Sequence, residues 1–236
     1  MKELELTPRL RAIVGLVPSG ARLADIGTDH AYLPAALLLS GKIRYALASD
    51  INEGPLQRGM ETARTYGLDD HRLCFRCCSG LQGIRPEDRI DTAVMAGMGG
   101  ELIARILQES PWSRSLRLIL QPMSTQPELR RWLNENRYTI RRETLVREGD
   151  KLYVILTAES GEDAPYSRAE LWAGRQKRTV PQSLREAYLN DLIRRRRRAL
   201  RGMEAGTSMP ASRLDEERDL IAQLESMREE WIAWQR

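Results

Sequence analysis

Cysteine is scarce in this chain, and what there is sits together: Cys74, Cys77 and Cys78 are its only three. An odd, clustered set makes a poor disulfide framework and fits a reducing cytoplasm, so a cytoplasmic protein is expected. Long apolar runs are also missing. The longest, around Ala35–Leu39, falls far short of the roughly 20 residues a membrane span needs, and no membrane association is expected. The opening MKELELTPRLRAIV has early acids and no apolar h-region, so it does not read as a signal peptide. No internal repeat is visible. With 236 residues and 42% hydrophobic side chains, the chain can bury a core as one large domain or as a domain of about 150 residues with an appendage. Charged residues make up 30% and the net charge is only +4. The sequence pI near 9.1 leans toward an anionic partner without establishing one.

From about residue 21 to 158, short apolar or β-branched runs alternate with helical segments. ARLADIG, YALASD, HRLCFRCC, RIDTAVMAG and LRLILQP read as strands. AYLPAALLLSG, GPLQRGMETARTYG, GELIARILQES and PELRRWLNENR read as the helices between and after them. This rhythm predicts a parallel sheet with helices on both faces. YTIRRETLVREGDKLYVILTAE then reads as two strands joined by a tight turn at Glu148-Gly149-Asp150. Beyond about residue 166 the strand pattern stops. Tyr188, Leu189, Leu192, Ile193, Ala199, Leu200 and Met203 recur at helical spacing. Gly206-Thr207-Ser208-Met209-Pro210 breaks that run, and Leu220, Leu224, Met227, Trp231 and Trp234 form a second one. An antiparallel, coiled-coil-like helical hairpin is expected there.

The segment ADIGTDHAYLP lacks what a dinucleotide reader needs. Gly27 is followed by Thr28, Asp29 and His30, with no second or third glycine to let backbone approach a pyrophosphate. Asp25 and Asp29 would also repel phosphates, whereas carboxylates can face the ammonium and sulfonium charges of a zwitterionic ligand. Asp50 ends the second strand, placed to accept ribose hydroxyls, although it could instead cap the next helix. Asp29 could cap a helix starting at His30. Ser79 stands in the turn after the third strand, where it can supply a hydroxyl. His71, Cys74, Cys77 and Cys78 have the look of a metal cluster. Residues three apart on a strand face opposite sides, however, so no metal is expected and the cysteines read as buried small apolar residues.

Taken together, ADIGTDHAYLP, ASDINEGPL, SGL, DTAVMAGMGGELI and LILQPM resemble the bacterial TrmK family, from about residue 4 to 158 in order and spacing. The resemblance implies an α/β fold: a class I (Rossmann-like) methyltransferase sheet ending in an antiparallel hairpin, with a C-terminal all-α helical hairpin. It implies S-adenosyl-L-methionine as cofactor and N1 of adenine 22 in tRNA as methyl acceptor. Cofactor contacts are then expected at Asp25, Gly27, Thr28, Asp50, Ile51, Ser79, Gly80, Leu81, Ala96 and Gly97. The target base is expected near Asp29, His30, Met98, Gly99, Gln121 and Pro122. Asp29 is expected to stabilise charge rather than to take a proton. Gly97, Gly99 and Gly100 would admit a flat base. A methyltransferase for another RNA site, or a non-catalytic RNA-binding or scaffolding protein that keeps the fold, is the alternative.

Two domains are expected, 1–160 for methyl transfer and 161–236 for tRNA. The second is polarised: residues 175–201 hold ten Lys and Arg (among them Arg175, Lys177, Arg178, Arg185 and Arg201) against two acids, and residues 204–230 hold eight acids against three Arg. Some of the positive charge should pair with the acidic helix. The excess, with Arg194, Arg195, Arg197 and Arg198 at its centre, should meet phosphates. A monomer is the working expectation, one that the sequence alone does not decide.

Overall fold

The computed structural model describes residues 4–175, 180–206 and 209–233. Lys177, Arg178, Thr207, Ser208 and Trp234 lie outside the described residues. The strands are β1 (Arg22–Ile26), β2 (Tyr45–Asp50), β3 (Leu73–Cys77), β4 (Thr92–Gly99), β5 (Arg117–Ser124), β6 (Tyr138–Glu148) and β7 (Lys151–Ser160). They form one sheet in the order β3-β2-β1-β4-β5-β7-β6. β1 pairs in parallel with both β2 and β4, β2 with β3, and β4 with β5, while β7 enters antiparallel against β5. Gly149, at φ +57, turns the β6–β7 hairpin as its Glu-Gly-Asp signal requires.

The predicted helices fall between the strands: α2 (Tyr32–Leu39), α3 (Glu53–Thr65), α4 (Gly100–Gln108) and α5 (Gln126–Glu135). Covered on both faces, the inner strands are apolar without alternation, as parallel strands are. Ala46, Ala48, Val94, Ile119 and Ile155 pack with Leu33, Leu37 and Leu38 of α2 in one buried cluster. Ile13 joins them from a helix the periodicity did not reveal, α1 (Pro8–Leu16). Its signal is capping rather than pattern: the Thr7 hydroxyl accepts from Leu10 N, and Pro8 stands at the first helical position. α1 runs against the strand direction. Its first turn reaches the carboxyl end of β5, and Gly15 and Leu16 near its last turn flank Arg117 at the amino end.

The expectation of buried cysteines is wrong. Cys77 is exposed, and Cys74 and Cys78 are half-buried. β3 is the outermost strand on its side, so its side chains are covered less than those of inner strands. Among the described residues no group of three or more His, Cys, Asp or Glu is placed to hold a metal. No described helix is long and apolar enough to cross a membrane.

The chain divides into two compact units, one of Met1–Arg142 with Val146–Asp163, the other of Glu143–Leu145 with Ala164–Arg236. The second holds a short helix that the spacing of apolar residues does not announce, α6 (Arg168–Ala173), opened by a Ser167–Glu170 capping box. It also holds α7 (Gln182–Ala205) and α8 (Ala211–Ala233). α7 and α8 pack along a seam of Tyr188, Leu189, Leu192 and Ile193 against Leu220, Ile221, Leu224 and Trp231, all buried. Cross-links from Asn190 to Arg228 and from Glu204 to Arg218 mark the two helices as antiparallel.

Candidate active site at the carboxyl edge of the sheet

The β1 carboxyl end is where the chain changes direction across the sheet, since β1 is followed by β2 on one side and flanked by β4 on the other. In open α/β sheets ligands bind outside this switch point. The turn there is pinned to its neighbour: Gly27 N and Thr28 N both donate to Ser49 O, at 2.8 and 2.9 Å. Gly27 has φ +73, a left-handed angle that favours glycine, and the Met98 methyl group lies against it. Asp25, on the last turn of strand before it, is buried. Its carboxyl is pushed up to about 6 by that burial, partly offset by the Thr28 hydroxyl. A buried carboxylate held so uneasily favours a cationic neighbour.

Asp50 closes β2, half-buried, and its Oδ1 accepts from Asn52 N at 2.7 Å. That hydrogen bond orients the carboxylate at the strand end. The N-cap of α3 is Asn52, not Asp50. Ile51, beside it, is 66% exposed. Gly80, at φ +50, and exposed Ser79 form the turn after β3. Leu81, next in the chain, is buried in the core. Ala96 is half-buried on β4.

Asp29 does not cap a helix. α2 begins at Tyr32, behind Ala31 in the left-handed region at φ 52. The Asp29 carboxylate is 65% exposed and is held by the Arg58 guanidinium from α3. Its Oδ2 lies 3.7 Å from His30 Nε2, and the His30 ring stacks on Tyr32 at 5.0 Å and 6°. Arg58 carries no sequence signal, being one of several exposed charges on α3.

The β4–β5 register slips between Ala96 and Met98, freeing Gly97 from the ladder. Gly97 takes φ +80 and donates its N–H to Gln121 Oε1 at 3.2 Å. Gln121 is fully buried, as is Pro122, while Met123 beside them is exposed. Gly99 caps α4. Gly100 serves packing rather than a ligand: a Cβ there would lie 2.3 Å from the Thr125 carbonyl oxygen. The carboxyl edge thus gathers Asp25, Gly27, Thr28, Asp50, Ile51, Gly97, Met98, Gly99, Gln121 and Pro122 from four strands.

In the helical unit the arginine run is largely spoken for. Arg194 and Arg195 pair with Asp191, and Arg197 pairs with Glu225. Arg196 makes a two-armed pair with buried Glu217, both bonds 2.6 Å, and lies over the Trp172 ring. Arg175 pairs with Glu170, and Arg185 is buried. Among the described residues, exposed Arg198 and Arg201 have no ion-pair partner.

Residues 6–156 match the methyltransferase domain family. Over 177 residues the chain is 39% identical to the tRNA (adenine(22)-N(1))-methyltransferase of Bacillus subtilis, covering 74% of each protein. The crystal structure of the B. subtilis m1A22 tRNA methyltransferase TrmK superposes with a TM-score of 0.75 at 28% identity, over 98% of this chain and 99% of that one. A Streptococcus pneumoniae candidate tRNA (m1A22) methyltransferase, solved with S-adenosyl-L-methionine, gives 0.78 at 29% identity, over 93% and 99%. By sequence and by fold, this chain belongs to the tRNA (adenine(22)-N1)-methyltransferase family.

Proposed function

We propose that the chain transfers the methyl group of S-adenosyl-L-methionine to N1 of adenine 22 in tRNA. The observation that carries this reading, within the family, is the pair of acids at the switch point: Asp25 buried at the end of β1 and Asp50 at the end of β2, beside a turn with one glycine. Such an edge suits a ligand with positive charge and a ribose but no phosphates. Asp25 would face the ammonium side, Asp50 the ribose hydroxyls, and Ile51 the flat adenine. Thr28, Ser79, Gly80, Leu81, Ala96 and Gly97 complete the proposed contacts.

Adenine N1 offers an in-plane lone pair and carries no proton in neutral adenine, so its attack on the methyl needs no general base. As the purine becomes cationic, the protein must hold N1 in line and present acceptors to the growing charge. Asp29 would supply the carboxylate. His30, Met98, Gly99, Gln121 and Pro122 would border the base, which must leave its pairing partner to expose N1. Arg198 and the exposed remainder of the arginine run would meet tRNA phosphates. We also propose a division of labour between 1–160 and 161–236, and a monomer at work in the cytoplasm without a metal.

Methyl transfer from labelled cofactor to bulk tRNA, followed by mapping of the modified nucleotide, tests the reading. Modification elsewhere in the RNA would replace the site, and no transfer would leave a scaffolding protein. Asp50→Ala should weaken cofactor binding by about 1.5–3 kcal/mol in titration calorimetry, the usual worth of charged hydrogen bonds. Unchanged affinity would remove the ribose assignment.

A further inference from the structure

Arg9 stands in the first turn of α1, remote in sequence from every motif above, yet its guanidinium lies under the turn that the proposed reading gives to the base. Its Nη1 donates to Gln121 Oε1 at 2.5 Å, and the same oxygen accepts from Gly97 N at 3.2 Å. A Cβ on Gly97 would come within 3.7 Å of Arg9 Nη1. One buried carbonyl oxygen therefore joins the arginine to the Gly97 amide, which the break in the β4–β5 register has left without a ladder partner.

The chemistry of the three groups makes this more than packing. A glutamine side chain can present either its oxygen or its NH2 in nearly the same space. Gly97 N–H and the Arg9 guanidinium are both donors only, so together they require the oxygen to face them. That leaves Gln121 Nε2 for Pro122 O and Met123 Sδ, each at 3.3 Å. Without the arginine, one of the two demands on the amide orientation disappears, and a flipped Gln121 would set a donor against the Gly97 N–H. Arg9 is itself anchored on the hairpin: its amide donates to Glu148 Oε2 at 3.0 Å, and its guanidinium lies 5.3 Å from the Tyr153 ring centroid. Its Nε is buried with no acceptor among the described residues, a cost that a purely packing side chain such as methionine would avoid.

We propose that Arg9 is a positioning residue for methyl transfer, holding Gln121 Oε1 toward Gly97 and so keeping the Gly97–Gly99 turn in the shape the reacting base needs. This rests on the reading that the turn receives the base. Arg9→Met should lower the single-turnover transfer rate at saturating tRNA and cofactor between about tenfold and a hundredfold, as small misplacements of reacting groups do. Cofactor affinity should fall less than the transfer rate does, because Gly97 is the one proposed cofactor contact that Arg9 reaches, through Gln121 Oε1. Arg9→Lys, which keeps a donor for Gln121, should recover most of the rate. In a Gln121→Met background the Arg9→Met loss should largely vanish.

A rate within about twofold of wild type for Arg9→Met would overturn the proposal, as would a full Arg9 effect without Gln121. Gly97 amide hydrogen exchange gives a readout independent of activity. Arg9→Met should expose that amide and Arg9→Lys should protect it, while unchanged protection in Arg9→Met would again overturn the proposal. If the wild-type protein moved no methyl to tRNA, the functional reading would fall and the amide exchange would still decide whether Arg9 holds the turn. Should Arg9→Met fail to fold, Arg9→Leu set against Arg9→Lys carries the same comparison.

Discussion

The carboxyl edge of the sheet and the face of the C-terminal helical hairpin both gather polar residues, but they hold them differently. At the sheet edge the groups sit on strand ends with buried neighbours. Asp25 lies beneath a pinned turn, and Gln121 is fully buried with both ends of its amide engaged. On the hairpin, the arginines stand on solvent-facing turns and several find their acids within their own helix or the next. Buried groups have fixed partners because an unmet donor or charge is costly there. Exposed pairs are individually weak and can be exchanged for a phosphate at little cost. The first region fixes its polar groups, and the second leaves its charges in exposed, exchangeable pairs.

Four substitutions can break or sharpen that contrast. The largest effect belongs to the exception on the hairpin. Arg196 and Glu217 form a mostly buried pair, so Arg196→Ala should destabilise the protein by about 3–5 kcal/mol in urea unfolding, by stranding a buried carboxylate. A loss below about 1 kcal/mol would class it with the exposed pairs.

Next comes Asp25. Its carboxyl is raised from 3.8 to about 6 in the fold, so its contribution is most favourable below pH 4 and is lost as pH rises through about 6. That gap corresponds to about 3 kcal/mol. Asp25→Asn, neutral throughout, should therefore be the more stable protein at pH 7 without cofactor, with the advantage fading toward pH 4. Cofactor affinity of the wild type should rise across the same window as the carboxylate ionises, and the Asp25→Asn variant should show no such rise. Unfolding curves and calorimetry at pH 4, 5, 6 and 7 would test both halves.

Asp29→Asn should keep cofactor binding and slow the transfer step by about a hundredfold, the scale of losing one charge-stabilising contact. A full single-turnover rate would leave Asp29 as no more than Arg58's ion-pair partner. The smallest effect is expected at Arg198. Arg198→Ala should leave stability within about 0.5 kcal/mol of wild type. It should reduce the slope of log affinity for tRNA against log salt by about one unit. An unchanged slope would mean that this arginine meets no phosphate.

Much of the fold was legible because its signals are local. Strand runs, helix periods and the Glu-Gly-Asp hairpin turn are each written within a dozen residues, and they are found where the spacing predicted them. α1 was missed because its signal is the Thr7-Pro8 cap and not a stripe of apolar residues. In the site, Asp25, Gly27 and Asp50 were readable because each ends a strand or opens a turn. Arg9 and Arg58 were not, since they reach Gln121 and Asp29 across 112 and 29 residues. The exposure of Cys77 was misread because no strand announces in its own sequence that it will lie at an edge.

By itself, then, the sequence determined the alternation of elements, the acids at the ends of β1 and β2, the absence of a phosphate-binding glycine set after Gly27, and the charge polarity of the two last helices. All of these follow from side-chain type and short spacing along one chain. Only the tertiary structure decided that Arg196 is an inward tie while Arg198 stays open, that Gly100 answers to packing and Gly97 to a displaced amide, and that one glutamine oxygen couples the first helix to the proposed base turn. Those outcomes depend on which distant groups share a buried space, where each donor must find an acceptor and each charge a partner.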